Sequence, residues 1–361
     1  MTRPSLAETE RDLHRYFLDT LRALPEVRVV DESCFPDLRY DAEVAVEIAG
    51  KPVSVHLEIK KTAYPRDVRQ WLWQLGEYSA ALGEKTHYLL LAESLSPGAK
   101  ELLRAESVGY FDAGGSLFIP IPGAYVYVDK PPVGKQKKVL VSLFSGRRAR
   151  VSHALLLNPA DWFSVAKIAE LSQVAPSTAS VVLTELERFE WVDSQGKGPQ
   201  KLRHLSQPGS LLDAWASWVG QLPGVKAPAS RRYYVPGLKG DAKSLQLLGS
   251  AFDAHGVTYA VSHEAAAQVY SPFLSSVSQI HAQLVQGVDA DKALASLGAR
   301  VVTQGANLIV TEAGSEDDLL FCEQIDGVWL ASPVQVYLDL VQAEGRSREM
   351  ADHLRQEMIG F

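Results

Sequence analysis

Residues 164–192 read SVAKIAELSQVAPSTASVVLTELERFEWV, and this stretch decides how the centre of the chain is interpreted. Its first half places Ile168, Ala169 and Leu171 where one face of a short helix would bury them. A second helix is predicted from Pro176, because proline is favoured in the first turn of a helix, where its missing N–H is not needed. Two short helices joined by a tight turn are typical of a helix-turn-helix.

The second predicted helix has a polar face once its apolar residues are buried. This face carries hydroxyl groups, on Ser177, Thr178, Ser180 and Thr184. In the major groove of DNA such side chains can bond base edges or phosphates, and a threonine methyl can meet a thymine methyl. Residues 192–205 follow as a predicted two-stranded hairpin with a Gly-Lys-Gly tip, which would complete a winged helix-turn-helix.

Basic residues surround this motif. Three lie on the predicted wing and three just before the first helix: Lys197, Lys201, Arg203, Arg147, Arg148 and Arg150. Residues 129–203 carry 12 lysines and arginines against 7 aspartates and glutamates, a local charge of +5, whereas the whole chain has −7. Such an excess is typical of a surface that binds phosphates. We therefore predict contact with double-stranded DNA; the alternative is a protein-interaction module with a solvated basic face.

The N-terminal part of the chain contains a predicted β-hairpin with acidic residues. Residues 40–48 and 53–60 each alternate polar and apolar side chains, and a Gly-Lys-Pro turn lies between them. Asp41 precedes Glu58 by 17 positions, and Lys60 follows on the same strand, which resembles the motif of PD-(D/E)XK nucleases. Gln74, on the next predicted helix, resembles a glutamine found in one branch of that fold family.

The chemistry of this motif is coherent. Two carboxylates on neighbouring strands can hold Mg²⁺, and a nearby lysine can orient or help to deprotonate the attacking water. If the nuclease is active, we expect Asp41 and Glu58 to bind Mg²⁺; DNA binding by itself is expected to need no cofactor. Glu43 and Glu47 compete with Asp41 as the first ligand, and a hairpin with these residues can also be a retained, inactive scaffold.

At 361 residues the chain exceeds the size at which single cores stop growing, so several domains are expected. The predicted fold class is α/β multidomain. It comprises a restriction-endonuclease-like α/β domain (1–128), a linker and basic lead-in (129–150), the winged helix-turn-helix (151–222) and an α+β domain (223–361). A charged first segment and the lack of a long apolar stretch predict a cytoplasmic protein with no membrane partner.

Further stretches resemble the AbiEi-type antitoxins of type IV toxin–antitoxin systems and related regulators. They include GYFDAGGSLF at 109–118, TYAVSHEAAA at 258–267 and WLASPVQVYLDL at 329–340. The resemblance covers nearly the whole chain, and its motifs are structural rather than catalytic. It implies a repressor of its own operon, often encoded beside a nucleotidyltransferase-like toxin that it need not bind. The chain departs from short antitoxins in carrying the nuclease-like first domain.

Three functions follow from these features. The first is a sequence-specific transcriptional regulator of an operon or mobile element, an antitoxin-like autorepressor that binds an operator, as a homodimer if the operator is two-fold symmetric. The second is a Mg²⁺-dependent DNA endonuclease directed by the winged helix. The third is a protein-interaction scaffold, suggested by the acidic flanks.

Overall fold

A computed structural model describes residues 5–25, 27–33, 41–48, 50–82, 87–121, 124–130, 135–220, 230–285, 287–343 and 345–361. The protein is a mixed α/β chain that divides into two compact units. The first unit comprises Met1–Ser145 and Ser180–Ser206, and the second comprises Gly146–Ala179 and Gln207–Phe361. The fold class predicted from the sequence is thus confirmed at the level of mixed α/β.

The first part of the chain forms a seven-stranded sheet with helices. Its helices are α1 (Ser5–Arg22), α2 (Pro65–Leu82), α3 (Pro97–Ala105) and α4 (Lys135–Leu143). Its strands are β1 (Val27–Ser33), β2 (Ala42–Ile48), β3 (Lys51–Ala63), β4 (His87–Leu95), β5 (Gly109–Asp112), β6 (Leu117–Ile121) and β7 (Ala124–Val128). They lie in sequence order across the sheet. The pairs β3–β4 and β4–β5 are parallel because α2 and α3 cross over between them; the other pairs are antiparallel.

The predicted hairpin is confirmed as β2 and β3. They pair from Ala42 opposite Leu57 to Ile48 opposite Lys51, and Gly50 in the turn has a φ of +78°, which favours glycine. Alternate residues of both strands are buried against α1, whereas the other face of the sheet lies towards α2 and α3. On α2, Trp71 is 4% exposed and Trp73 is 66% exposed, because residues two apart on a helix point in different directions.

The central elements match the prediction closely. They are α5 (Gly146–Leu157), β8 (Trp162–Phe163), α6 (Val165–Leu171), α7 (Pro176–Arg188), β9 (Val192–Gln195) and β10 (Leu202–Leu205). Ser164 caps α6 by accepting the backbone N–H of Lys167, and the antiparallel pair β9–β10 turns at Gly196, whose φ is +84°. The boundary between the two units falls within α7.

From Lys135 onward, the segment predicted as a linker and basic lead-in (129–150) is largely helical. Helix α4 begins there, and α5 already begins at Gly146, inside the predicted linker. The helix-breaking residues end at Gly134, and the following sequence contains no proline or glycine until position 146. Leu143 and Phe144 are buried, so apolar burial stabilises the end of α4.

The last part of the chain forms a second mixed sheet with helices. Its helices are α8 (Pro208–Gly220), α9 (Ala242–Ala254), α10 (His263–Tyr270), α11 (Val288–Ser296), α12 (Pro333–Leu340) and α13 (Arg346–Leu354). Its strands are β11 (Ser230–Tyr234), β12 (Tyr259–Ser262), β13 (Ile280–Val285), β14 (Arg300–Val301), β15 (Leu308–Ala313), β16 (Glu323–Ile325) and β17 (Val328–Leu330). The strand order is β14-β11-β15-β13-β12-β17-β16. The predicted domain boundary at 222/223 lies outside the described residues.

No helix in the described part of the chain is long and apolar enough to cross a membrane.

A buried ion pair lies beside the ends of β4 and β5. The Lys100 ammonium contacts Asp112 Oδ2 at 2.8 Å and donates to Ser116 Oγ at 2.7 Å, and both charged side chains are almost fully buried. Asp112 also accepts the backbone N–H of Ser116 at 3.0 Å. The Lys100 ammonium also lies 3.4 Å from Asp129 Oδ1, so removal of Asp112 would leave the buried ammonium with only this more distant and more exposed carboxylate.

We expect Asp112→Ala to lower the free energy of opening of the first sheet by about 3 kcal/mol, because it leaves the buried Lys100 ammonium with only the carboxylate of Asp129, 3.4 Å away. The combined variant Asp112→Ala with Lys100→Met should recover a large part of that loss. Native-state hydrogen exchange of the β4 amides measures both. A single variant as stable as the parent, or a double variant less stable than the single one, contradicts this account.

Candidate nucleic-acid interface

The first two turns of α7 carry most of the side chains predicted to read DNA. Ser177 and Thr184 are exposed, and Thr178 and Ser180 are half-buried. Thr184 Oγ1 donates to the Ser180 carbonyl oxygen at 2.8 Å, so its methyl group and its lone pairs remain for an external partner.

Val181 lies on the same face of α7 as Ser177 and Thr184, but it was not predicted from the sequence as part of the interface. It is 43% exposed and lies four residues after Ser177 and three before Thr184, positions that are neighbours on a helix. The sequence pattern already indicated that position 181 is exposed, because the buried stripe of α7 runs through Ala179, Leu183 and Leu186 and excludes it. An exposed valine methyl can meet a thymine methyl in the major groove, as small apolar groups do in direct readout.

The end of α7 packs against the beginning of α2 within the first unit. The rings of Tyr64 and Phe189 meet edge to face, with centroids 4.8 Å apart. The guanidinium of Arg188 lies over the Tyr64 ring, 4.2 Å from its centroid. We call the contact between residues 64–69 and 185–190 the junction.

Ion pairs surround this aromatic contact. Arg69 Nε donates to both carboxylate oxygens of Glu190 at 3.0 and 2.9 Å, and Arg188 lies 3.7 Å from Asp67. These side chains are partly exposed, and each such pair contributes about 0 to 1 kcal/mol. The junction therefore depends on the aromatic packing and on the buried carboxylate of Glu187.

Glu187 binds the wing to the end of α7. Its side chain is almost fully buried and accepts hydrogen bonds from Lys201 Nζ at 2.7 Å and from Arg203 Nε at 2.9 Å. Arg66 Nη1 on α2 approaches it at 3.5 Å. Burial by itself would raise the pKa of Glu187, but the hydrogen bonds and charges of Lys201 and Arg203 outweigh burial and lower this pKa below its ordinary value.

The residues predicted to contact phosphates therefore differ in their exposure and in whether another side chain already binds them. Arg203 is 8% exposed and Lys201 is half-buried, and both donate to Glu187, so these two predicted phosphate contacts already have a partner within the protein. Lys197 at the wing tip and Arg147 at the start of α5 are exposed. Arg148 is half-buried, and Arg150 Nη2 donates to Asp317 Oδ2 at 3.0 Å.

The acidic hairpin brings three of its predicted residues together. Asp41 lies one position beyond the paired residues Ala42 and Leu57, which places it opposite Glu58 in the register. Asp41 Oδ2 accepts the backbone N–H of Ile59 at 2.7 Å, and Lys60 Nζ donates to Glu58 Oε1 at 2.8 Å. The latter contact confirms that Glu58 and Lys60 share one face of β3.

The other residues considered for this site lie apart from that contact or have other partners. Gln74 on α2 is exposed. Glu43 Oε1 accepts from Ser54 Oγ at 2.5 Å and lies 3.6 Å from His56 Nε2, whose pKa burial lowers against the opposing effect of Glu43. Glu47 lies opposite Pro52.

The fit of this hairpin to Mg²⁺ is partial. Mg²⁺ is commonly bound through one or two carboxylates and several waters, so Asp41 and Glu58 are sufficient in number. One oxygen of each already has a partner within the hairpin. Within the part of the chain that the structure describes, no group of three or more histidine, cysteine, aspartate or glutamate side chains is arranged to hold a metal ion.

Comparison with models of known protein families gives no match for this chain, and searches of curated proteins and of solved structures give none either.

We expect Arg203→Ala to destabilise the wing by about 3 kcal/mol, because it leaves the Glu187 carboxylate buried with one close cation fewer. Lys197→Ala, a matched loss of one positive charge on the same wing, should leave stability unchanged. Hydrogen exchange of the β9 and β10 amides gives both values. Equal effects of the two substitutions would show that Glu187 does not hold the wing.

Proposed function

We propose that this chain is a sequence-specific, DNA-binding transcriptional regulator that reads duplex DNA with the first half of α7. The proposal rests on one observation: the beginning of this helix exposes side chains, whereas side chains at its end are buried and paired. Its beginning exposes Ser177, Val181 and Thr184, whereas its end is fixed by Glu187 and Phe189. The opposite face of this first half is buried through Ala179, Val182 and Leu183, so the helix can offer its exposed face to a groove in a fixed orientation.

The order of elements supports this proposal. Helix α6, a short turn, helix α7 and the hairpin β9–β10 with an exposed Lys197 at its tip form the sequence expected of a winged helix-turn-helix. Arg147 and Lys197 are the exposed cations among the predicted phosphate contacts. Two such contacts correspond to a salt-dependence slope of about −1.8 in log K against log salt concentration.

The resemblance to AbiEi-type antitoxins suggests the regulatory context. We propose an antitoxin-like autorepressor, working in the cytoplasm on an operator upstream of its own gene and needing no stable complex with a toxin. A two-fold symmetric operator would require a homodimer. The first sheet would then be a restriction-endonuclease-like domain, as the β2–β3 hairpin and the β3-α2-β4 crossover suggest, and the last part an AbiEi-like α+β domain.

Fluorescence anisotropy with the DNA upstream of the gene tests the regulator. We expect affinity at least about a thousandfold above that for random duplex, as is usual for specific binders. Lys197→Ala should reduce the salt slope by about 0.9 and weaken all sequences alike, whereas Val181→Arg should change the preferred sequence. An affinity no greater for the upstream DNA than for random duplex refutes the proposal.

A second candidate function, a Mg²⁺-dependent DNA endonuclease, is favoured by one observation, the adjacency of Asp41, Glu58 and Lys60. In that reaction Asp41 and Glu58 would hold the ion, which would supply an activated water and stabilise charge on the phosphate. Lys60 would orient that water.

Plasmid cleavage in the presence of Mg²⁺ or Mn²⁺ tests this second function. Cleavage should disappear in Glu58→Ala and persist in Glu47→Ala, which removes a carboxylate of the same hairpin outside the motif. Absence of cleavage by the parent chain, or equal cleavage by both variants, rules out catalysis by this hairpin.

A further inference from the structure

The first sheet ends at β7, and the backbone of this strand has an open side. Strand β7 is the last in the order of the sheet, and among the described strands it pairs with β6 alone. Pro120 on β6 lies opposite Tyr125 and has no N–H, so these two residues cannot exchange a pair of backbone hydrogen bonds. Because bonded and non-bonded pairs alternate along antiparallel strands, the backbone N–H and C=O groups of Tyr125 and Tyr127 point away from β6.

The side chains on one face of this edge are aromatic and exposed. Tyr125 is 70% exposed and Tyr127 is 41% exposed, and their ring centroids lie 6.4 and 6.3 Å from that of Phe118. Arg104 of α3 positions Tyr127, since its Nη1 donates to the tyrosine hydroxyl at 2.5 Å and its guanidinium lies 5.2 Å from the ring centroid. Positioned, exposed tyrosines beside open backbone groups are typical of protein interfaces.

The opposite edge of the sheet, β1, is protected against pairing. Its register shifts between Val29 and Asp31, so a bulge interrupts the strand, and Arg28 and Asp31 are exposed charges on it. Strand β7, Ala-Tyr-Val-Tyr-Val, has no charged residue, and its register with β6 is unbroken. Bulges and charges are the devices that keep an edge strand from pairing with another chain. Strand β7 has neither and is therefore suited to pairing.

We propose that β7 is the interface of a homodimer, in which the β7 strands of two copies pair antiparallel across a two-fold axis at Val126. In this register Tyr125 of one copy lies opposite the partner's Tyr127, and each such pair exchanges two backbone hydrogen bonds. All the outward-facing groups of both tyrosines are then satisfied. The tyrosine rings meet as cross-strand aromatic pairs.

The symmetry of the strand favours a second copy over another partner. Reversal of the strand about Val126 exchanges one tyrosine for the other, so the same edge is complementary to itself, as a two-fold interface requires. No like charges meet along the paired strands, because Asp129 lies beyond the end of β7. The interface does not rest on the proposed DNA-binding function, but it would supply the second copy that a two-fold symmetric operator requires.

Sedimentation velocity of the full chain over a range of concentrations tests the dimer. We expect a reversible equilibrium between monomer and dimer with a dissociation constant in the micromolar range, because the paired strands are short and the interface is small. Tyr125→Lys should weaken the dimer about tenfold or more, since it removes the ring and places a charge on the paired edge of each copy.

Val30→Lys is the matched control, because Val30 is an exposed apolar residue on the protected edge β1. It should leave the dissociation constant unchanged. A parent chain that stays monomeric at every concentration overturns the proposal. Equal dissociation constants of the two lysine variants also overturn it, because the copies would then associate through another surface.

The register has its own test in Val126→Cys. On the two-fold axis the two Val126 residues would form a non-bonded pair with Cα atoms about 4.5 Å apart, which a disulfide can span. Mild oxidation should link two copies of this variant and should link neither the parent chain nor Val30→Cys. No link from position 126, or equal yields from positions 126 and 30, overturns the proposed pairing. Sedimentation of the parent chain needs no substitution, so it decides the dimer even if a variant fails to fold.

Discussion

The position of the wing in the first unit depends on the buried carboxylate of Glu187. A buried carboxylate without partners costs several kcal/mol, so the cations that neutralise it must stay in place. These cations come from separate segments: Lys201 and Arg203 from the hairpin β9–β10 and Arg66 from α2. One side chain thus fixes the wing to the end of α7 and lies beside the contact of Tyr64 with Phe189. The wing is therefore an anchored part of the first unit.

This anchoring gives the two parts of α7 different exposure. Its apolar and acidic end is buried by packing, whereas its beginning leaves Val181 exposed, which is the part that would contact DNA in the proposed regulator. The division also changes the expected electrostatics, because Lys201 and Arg203 neutralise a carboxylate of the protein. In the proposed regulator, fewer phosphate contacts would mean a weaker dependence of the DNA affinity on salt and a larger share of the binding energy from groove contacts. Specific recognition would then depend on a small set of short side chains.

The local elements could be predicted because their signals are local. Ser164 as a cap, Pro176 at a helix start and Gly196 in a turn each mark a boundary within a few residues. Strand β11, Ser-Arg-Arg-Tyr-Tyr, gave no comparable signal, since it does not alternate polar and apolar residues and its pairing is decided by distant segments.

The ion pairs of the candidate interface could be predicted only in part. Glu187 lies four residues after the buried Leu183, so a charge on the buried stripe already implies a cationic partner. The cationic partners of Glu187 on the wing could also have been predicted, because they lie on the hairpin that follows α7 in the sequence. The contact of Arg69 with Glu190 spans 121 positions and has no local signal. For the same reason the sequence could not show that Arg150 is bound to Asp317.

The proposed regulator requires that the exposed beginning of α7 enters a DNA groove. Photo-crosslinking with p-benzoylphenylalanine in place of Val181 tests it most directly, with Leu247, an exposed residue of α9, as the control position. If this helix contacts upstream DNA, position 181 crosslinks to the upstream duplex, unlabelled upstream DNA suppresses the crosslink, and position 247 gives none. No crosslink from position 181, or equal yields from both positions, would contradict it.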